Sequence, residues 1–503
     1  MRSRVFLSLA ILPLTIATVA HSSAYPIAQT AIPSPAPPAG KPLTKCRDIT
    51  VGGIYYLKND VSSPGVCFGI DANNITLNLN QHTITYGTGG GTEPTPAIEG
   101  HDSYWKAPDS PMFIGGWSGD KHGGLEVYGG NIVESPNAAP FSDVFSFGQG
   151  GFNSAPYIHD VTATFGGAGA EFYYSTYLPS GARIENNIIY DNVKSINMPG
   201  QADISARSAF QGQAIDISGT NNNPATHGKG DIITGNKIVG SPQGGIRTVD
   251  QYSVIDNNNI DMNSRYANDW CIEISADHTL ARNNNCHPAS GRGINIDASH
   301  VTVQNNIVTA TELPQIAEYG GCEGSGDIGI RVESMPVGGK PPVPVDVVIS
   351  NNTITLAANA CMAVAFDFIY LEPAAKISVK NNVITTTNGG KGALDAAFQF
   401  DDTDGTGISI TENTVSAINT YILGEWDGYN NVTVGHNIWK GSPQYTFVAA
   451  DGACEPSTGK PGSPAICPVA ATVIDDLPNT VHCGPYSTAK ITIDGKTTQC
   501  KKK

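Results

Sequence analysis

A short unit built around a pair of asparagines recurs along this chain, and it restricts the fold more than any other feature. Copies read Arg183-Ile-Glu-Asn-Asn-Ile-Ile, Ser253-Val-Ile-Asp-Asn-Asn-Asn-Ile, Thr279-Leu-Ala-Arg-Asn-Asn-Asn and Val301-Thr-Val-Gln-Asn-Asn-Ile-Val. Others begin at Val347, Ile377, Ile408 and Val432. The asparagines at 257, 283, 305, 351 and 381 stand 26, 22, 46 and 30 residues apart, and the long gap holds a Gly/Pro-rich insertion near 335–344. Short apolar strands, turns and a period of twenty-odd residues form the pattern of a solenoid whose coils bury their interiors only against their neighbours. Asparagine suits the corners, because it accepts left-handed backbone and its amide can hydrogen-bond from coil to coil. These asparagines are therefore read as structural.

Asn74-Ile-Thr-Leu-Asn-Leu-Asn-Gln-His-Thr-Ile-Thr-Tyr-Gly alternates apolar and polar residues, a half-buried strand pattern. No stretch shows long amphipathic helix periodicity. Residues 88–155 are rich in Gly, Pro and aromatic residues and read as early coils with long loops. The expected fold is all-β: one right-handed parallel β-helix over residues 45–440, with an N-terminal cap and a cysteine-bearing C-terminal cap over 441–503.

Residues 1–24 have the form of a secretory signal peptide. Arg2 and Arg4 precede the apolar run Val5 to Ala20, and Ser22-Ser23-Ala24 is a small-residue cleavage site. A Pro/Ala-rich leader follows over 25–44. An exported chain with ten cysteines is expected to hold disulfides, and pairing of sequence neighbours gives Cys46–Cys67, Cys271–Cys286, Cys322–Cys361, Cys454–Cys467 and Cys483–Cys500. The net charge of −16, which becomes −18 without Arg2 and Arg4, argues against nucleic acid and anionic lipid as partners. It also weighs against an anionic polysaccharide unless a cation screens the contact.

Over roughly residues 70–440 the repeats resemble the right-handed parallel β-helix superfamily of pectate lyases, polygalacturonases, other polysaccharide lyases and hydrolases, and alginate epimerases. The resemblance implies a secreted protein with a polysaccharide partner; it specifies fold, not reaction. Of the polygalacturonase blocks only Asp401-Asp402 is matched, and Gly435-His436-Asn437 departs from Gly-His-Gly. The Arg-x-Pro-x-x-Arg block of pectate lyases and the Asp-Pro-His block of epimerases are missing. Gly244-Gly245-Ile246-Arg247 is similar to a segment of alginate and chondroitin lyases, whose Arg-His-Gly block is absent.

Chemistry is expected on the first strand of each unit. If its Ile, Val and Phe residues point inward, the alternate residues point out. Stacking the units gives one outward column of Asp216, Arg247, Glu273, Asn295, Arg331, Ala365 and Gln399, with Glu171 as a backward extension. A second column holds Ser218, Val249, Ser275, Asp297, Glu333, Asp367 and Asp401. Four stacked carboxylates would raise some pKa values or bind a cation, with Ca2+ the candidate on Asp297, Glu333, Asp367 and Asp401. Glu273, Asp297 and Asp216 are the candidate acid, base or nucleophile of a glycoside hydrolase. Arg247, Arg331 and Asn295 would orient substrate, and Trp270 and Tyr173 would stack on sugar rings. Two alternatives stay open: a lyase or uronate epimerase using Arg247 and Ca2+, and a non-catalytic glycan-binding or adhesin protein.

Overall fold

The computed structural model describes residues 38–89, 112–114, 123–138, 143–147, 156–165, 172–175, 181–191, 213–217, 230–240, 244–262, 270–288, 292–311, 327–334, 344–357, 362–371, 374–386, 394–401, 403, 407–416, 421–425, 432–440, 445–449, 470–473, 481–483, 490–493 and 496–499. The signal-peptide segment and the cleavage site lie outside them. Among the described residues no helix is long and apolar enough to cross a membrane.

The chain is an all-β parallel solenoid. Each full coil contributes three short strands, one more than the repeat suggested: the segment after the asparagine pair is a strand in its own right. Sheet 1 stacks Phe68–Gly69, Met112–Ile114, Phe145–Phe147, Tyr173–Ser175, Gln213–Ile217, Gly244–Thr248, Ile272–Ile274, Arg292–Ile296, Asp327–Glu333, Met362–Ile369, Leu394–Asp401 and three later strands. Sheet 2 carries the strand before the asparagine pair, such as Val254–Asp256, Leu280–Arg282 and Thr302–Gln304. Sheet 3 carries the strand after it, such as Asn259–Met262, Asn285–Pro288 and Ile307–Thr311. Among the described residues every pairing is parallel except the final hairpin of Lys490–Ile493 with Lys496–Gln499. Parallel strands continue past residue 440 through Tyr445–Ala449, Ala470–Val473, Val481–Cys483 and Lys490–Ile493. The ladder therefore extends into the segment expected to be only a cap.

The two asparagines of each pair do different work. The first adopts left-handed backbone, with φ from 55° to 58° at Asn186, Asn257, Asn283, Asn305, Asn351 and Asn381. Gly235, Glu412 and His436 take the same place in other coils. The second asparagine turns inward. Asn187, Asn236, Asn258, Asn284, Asn306, Asn352, Asn382 and Asn413 are buried. Each donates Nδ2–H to Oδ1 of the next, at 2.9–3.0 Å, and the column ends on Asn437. Each Oδ1 also accepts a backbone N–H of the preceding coil, so the corner leaves little polar capacity unsatisfied. His436-Asn437 thus belongs to this corner, and its likeness to a catalytic Gly-His-Gly block is incidental.

Sheet 1 has a regular irregularity. In or at the start of these strands two successive residues face the core, and the first is small: Ala214, Gly245, Cys271, Gly293, Gly329, Ala365 and Ala397. A Cβ at Gly293 would fall 2.1 Å from the Gly329 carbonyl oxygen, so the coils close up only around glycine there. Cys271 is joined from this column to Cys286 of sheet 3 through the interior, and Cys46 is joined to Cys67. The expected pairs Cys322–Cys361 and Cys454–Cys467 lie outside the described residues, as does Cys500, the expected partner of Cys483. Replacing Cys271 and Cys286 together with Ala is expected to lower the unfolding free energy by about 3 kcal/mol, the chain-entropy value for a loop this short. Urea unfolding monitored by circular dichroism checks it.

Candidate functional site

Outward residues of sheet 1 come into register as two columns. The first runs Asp216, Arg247, Glu273, Asn295, Arg331, Asp367 and Gln399. The second contains Glu333 opposite Ile369, and Ile369 opposite Asp401. Asp297 and Ser275 lie in this second column one and two coils before Glu333, and the Ser275 hydroxyl donates to Asp297 Oδ2 at 3.1 Å.

The expected columns hold except in one coil. Asp367, not Ala365, stands opposite Arg331, and Ile369 takes the place expected for Asp367. In Ala363-Val-Ala-Phe-Asp-Phe-Ile a slip of two residues keeps the inward and outward faces unchanged, so alternation alone cannot choose the register. The backward extension also changes: Tyr174 stands opposite Asp216, and Glu171 and Ser218 lie outside the described residues. The acidic ladder is therefore broken. Asp297 and Glu333 remain neighbours, Ile369 interrupts, and the Asp401 side chain is outside the described set. Asp367 is instead gripped by Arg331, whose Nε and Nη2 reach Oδ2 at 3.0 and 2.9 Å. Among the described residues no group of three or more His, Cys, Asp or Glu is placed to hold a metal ion, and of the four carboxylates expected to bind calcium the Asp401 side chain lies outside them.

Arginines of the first column stand next to carboxylates of neighbouring coils. Arg247 Nε lies 3.6 Å from Glu273 Oε1. Gln213 Nε2 donates to Glu273 Oε2 at 3.4 Å. To do so its amide crosses Gly244: a Cβ there would collide with Gln213 Oε1. Gly244 is thus the sequence signal for a Glu273 partner that the pattern reading missed. Asn295 Nδ2 donates to Glu333 Oε1 at 2.7 Å, and Arg331 Nη1 stands 3.8 Å from Glu333 Oε2. Both Glu333 oxygens are occupied and its side chain is buried.

Asp297 is different. Burial, with the charge of Glu333 adding to it, pushes its carboxyl up to about 6, against the opposing hydrogen bond of Ser275 and the more distant Arg247. Its Oδ1 is buried with no hydrogen-bond partner among the described residues. A carboxyl that holds its proton up to about pH 6 therefore sits diagonally from Glu273, the partner of Arg247.

Two expected sugar-stacking residues are placed elsewhere. Tyr173 is in the core, 1 % exposed, opposite Phe145 and Ile215. It occupies an inward position, so no sugar reaches it. Trp270 is 5 % exposed, and its ring is approached by the guanidinium groups of Arg331 and Arg292, at 5.1 and 5.9 Å. It braces cations instead of offering an open face. A second buried acid pair, Asp231 with Asp250, was not visible in the pattern. Asp231 Oδ1 accepts the N–H groups of Gly181 and Ala182 at 3.0 and 2.8 Å, and burial raises both carboxyls, Asp250 to about 6. It ties corners together behind the strand that carries Arg247.

No family model and no curated protein matches the chain. Among solved structures it is similar to the catalytic unit of a GH87 alpha-1,3-glucanase from Streptomyces thermodiastaticus strain HF3-3, at 11% identity and a TM-score of 0.32. That match covers 86% of this chain and 61% of the glucanase unit, so the chain spans about three-fifths of that neighbour's length. It is also similar to the A-module of mannuronan C-5 epimerase AlgE6 from Azotobacter vinelandii, at 11% identity and a TM-score of 0.31, over 79% of this chain and 90% of the module. The fold assignment rests on this chain's own strand pairing: it is a parallel β-helix.

Proposed function

We propose that this chain is a carbohydrate-active hydrolase that cleaves a neutral polysaccharide lying along the outer face of sheet 1. Asp297 acts as general acid and Glu273 as general base. One observation carries the reading: a carboxyl raised to about 6 stands one coil and two residues from a glutamate paired with an arginine.

The spacing favours inversion. Glu273 and Asp297 are one coil and two residues apart, which is about 8 Å between backbones for strands ~4.8 Å apart rising ~3.3 Å per residue. Inverting glycosidases hold their carboxyls about 6.5–9.5 Å apart, leaving room for a water. The closer pair, Asp297 with Glu333, suits retention less well, because Glu333 is buried and both its oxygens are engaged. In the proposed step the Asp297 carboxyl gives its proton to the glycosidic oxygen as that bond breaks. Glu273 takes a proton from the water that attacks the anomeric carbon from the opposite face.

Charge supports a neutral substrate. Asp216, Glu273, Asp297, Glu333 and Asp367 outnumber Arg247, Arg331 and Arg292 on this face, and two of these arginines are already paired with carboxylates. A uronate polymer would meet net repulsion, which disfavours the lyase and epimerase readings.

Incubating the full chain with α- and β-linked glucans, xylan and galactomannan, and following the anomeric protons of early product by NMR, tests the proposal. Inverted product, with a rate that falls as pH rises through about 6, is expected. Retained configuration would remove Glu273 from the base role, and unsaturated uronate from alginate or pectin would replace hydrolysis with elimination.

A further inference from the structure

Gln213 is a buried residue on the outer side of sheet 1. Ala214 and Ile215 after it both turn to the core, which leaves Gln213 facing out. Gly244 stands opposite it in the next coil and precedes the inward pair Gly245 and Ile246 in the same way. In the two following coils this position, two residues before Ile272 and Ile294, carries the large side chains of Trp270 and Arg292. Neither Gln213 nor Gly244 suits a strand for its own sake. An amide withdrawn from water needs a partner, and Gln213 is 3 % exposed. A glycine within a strand gains backbone freedom on unfolding, packs no side chain, and marks a place where another group comes close.

The contact with Glu273 accounts for both. The three atoms nearest a Cβ built on Gly244 all belong to the Gln213 amide, its Nε2 at 2.9 Å, so the amide fills the space that a side chain at 244 would take. Through that gap Nε2 donates to Glu273 Oε2 at 3.4 Å, from two coils away. Arg247 Nε approaches the other oxygen, Oε1, at 3.6 Å from the coil between. The final torsion of a glutamate is broad and roughly two-fold, so a single contact leaves the carboxylate free to swing. Contacts to both oxygens, made from two different coils, set its plane.

We propose that Gln213 is a positioning residue for Glu273, and that Gly244 is the gap that admits it. The inference rests on the hydrolytic reading, in which Glu273 takes a proton from the attacking water. That step needs the carboxylate turned toward one place, and the neutral amide turns it without bringing a further charge to the site. Gln213 acts through Glu273 and makes no contact with the reacting atoms.

Steady-state kinetics of the full chain test it, on whichever of the α- and β-linked glucans, xylan and galactomannan the wild type cleaves fastest, with thermal unfolding run on the same samples. Gln213→Ala removes the amide, and Gly244→Ala displaces it from the opposite side. Each should lower kcat about 10- to 100-fold and leave KM within about twofold, the signature of a displaced reacting group and not of lost binding. Both changes remove one contact, so the double variant should lose no more than the worse single one. Gln213→Ala combined with Gly244→Asn returns an amide to the same gap and should recover most of the rate, which a packing role alone does not produce. Gly244→Ala meets first the end of a flexible side chain, so it should keep the wild-type unfolding midpoint and carries the test if Gln213→Ala fails to fold. Undiminished kcat in Gly244→Ala, additive losses in the double alanine variant, or no recovery with Gly244→Asn would overturn this inference and leave the hydrolytic reading standing. A wild-type chain that cleaves none of the polymers would overturn the hydrolytic reading and this inference with it.

Discussion

Asp297→Asn should lose at least about 100-fold in hydrolytic rate and at the same time make the protein more stable above neutral pH. The first effect follows from removing the group that protonates the leaving oxygen, since a positioned general acid contributes about 10²–10⁴. The second follows from linkage. Asp297 has its folded pKa raised to about 6, above the usual carboxylate value, so the native state favours its protonated form. The stability this group contributes is fully present below about pH 4 and is lost as pH rises through about 6. A shift of about two units corresponds to roughly 3 kcal/mol. Asparagine carries no charge at any pH and can still accept the Ser275 hydroxyl. Wild type and Asp297→Asn should therefore unfold alike at pH 4, and the variant should be about 2–3 kcal/mol more stable at pH 8. Urea unfolding at the two pH values measures it. A variant that is less stable at pH 8 would mean that the fold favours Asp297 as an anion.

Asn305 and Asn306 should respond oppositely to substitution although they are neighbours in the chain. Asn306→Ala removes an amide that donates to the Ala281 carbonyl and to Asn352 Oδ1, and that accepts from the Asn284 backbone and side chain. Each buried group left without a partner costs about 1–3 kcal/mol, so a loss of about 4 kcal/mol or more is expected. Asn305 is exposed and supplies only left-handed backbone, with φ of 56°. Asn305→Gly should change stability by less than about 0.5 kcal/mol. Thermal unfolding of the two variants side by side provides the comparison, and equal losses would contradict the division of labour within the pair.

Why some of this was legible in the sequence and some was not follows from the period of each signal. The asparagine pairs and the alternation of Ile246-Arg247 and Ile272-Glu273 mark coil after coil, so the solenoid and most of the first column could be read directly. Register fails where two placements bury the same faces, as in 363–369, and there the acidic ladder dissolves into an Arg331–Asp367 pair. Residues brought together across several coils carry no local mark. Gln213 reaches Glu273 over sixty residues of sequence, and Asp231 meets the corner at Gly181 from fifty residues away. Tyr173 and Trp270 show the converse: an aromatic residue beside a candidate carboxylate is as suited to packing as to sugar, and only the side on which the strand presents it decides.

The inner asparagine column also has a direction. Every amide from Asn187 to Asn413 points one N–H along the column toward the C-terminal coil and its oxygen toward the N-terminal one, while its Nδ2 also donates to a backbone carbonyl of the preceding coil. If each carries about the 3.5 D of a peptide unit, the dipoles add along the axis as they do in an α-helix, inside a protein whose strands contribute almost no net field. Each bond polarises the next, so an amide in mid-column is strengthened from both sides and one at either end from a single side. The solenoid is thus electrically polar along its length and tightest at its middle. Amide hydrogens around Asn258, Asn284 and Asn306 should exchange last, and opening should advance inward from the end coils.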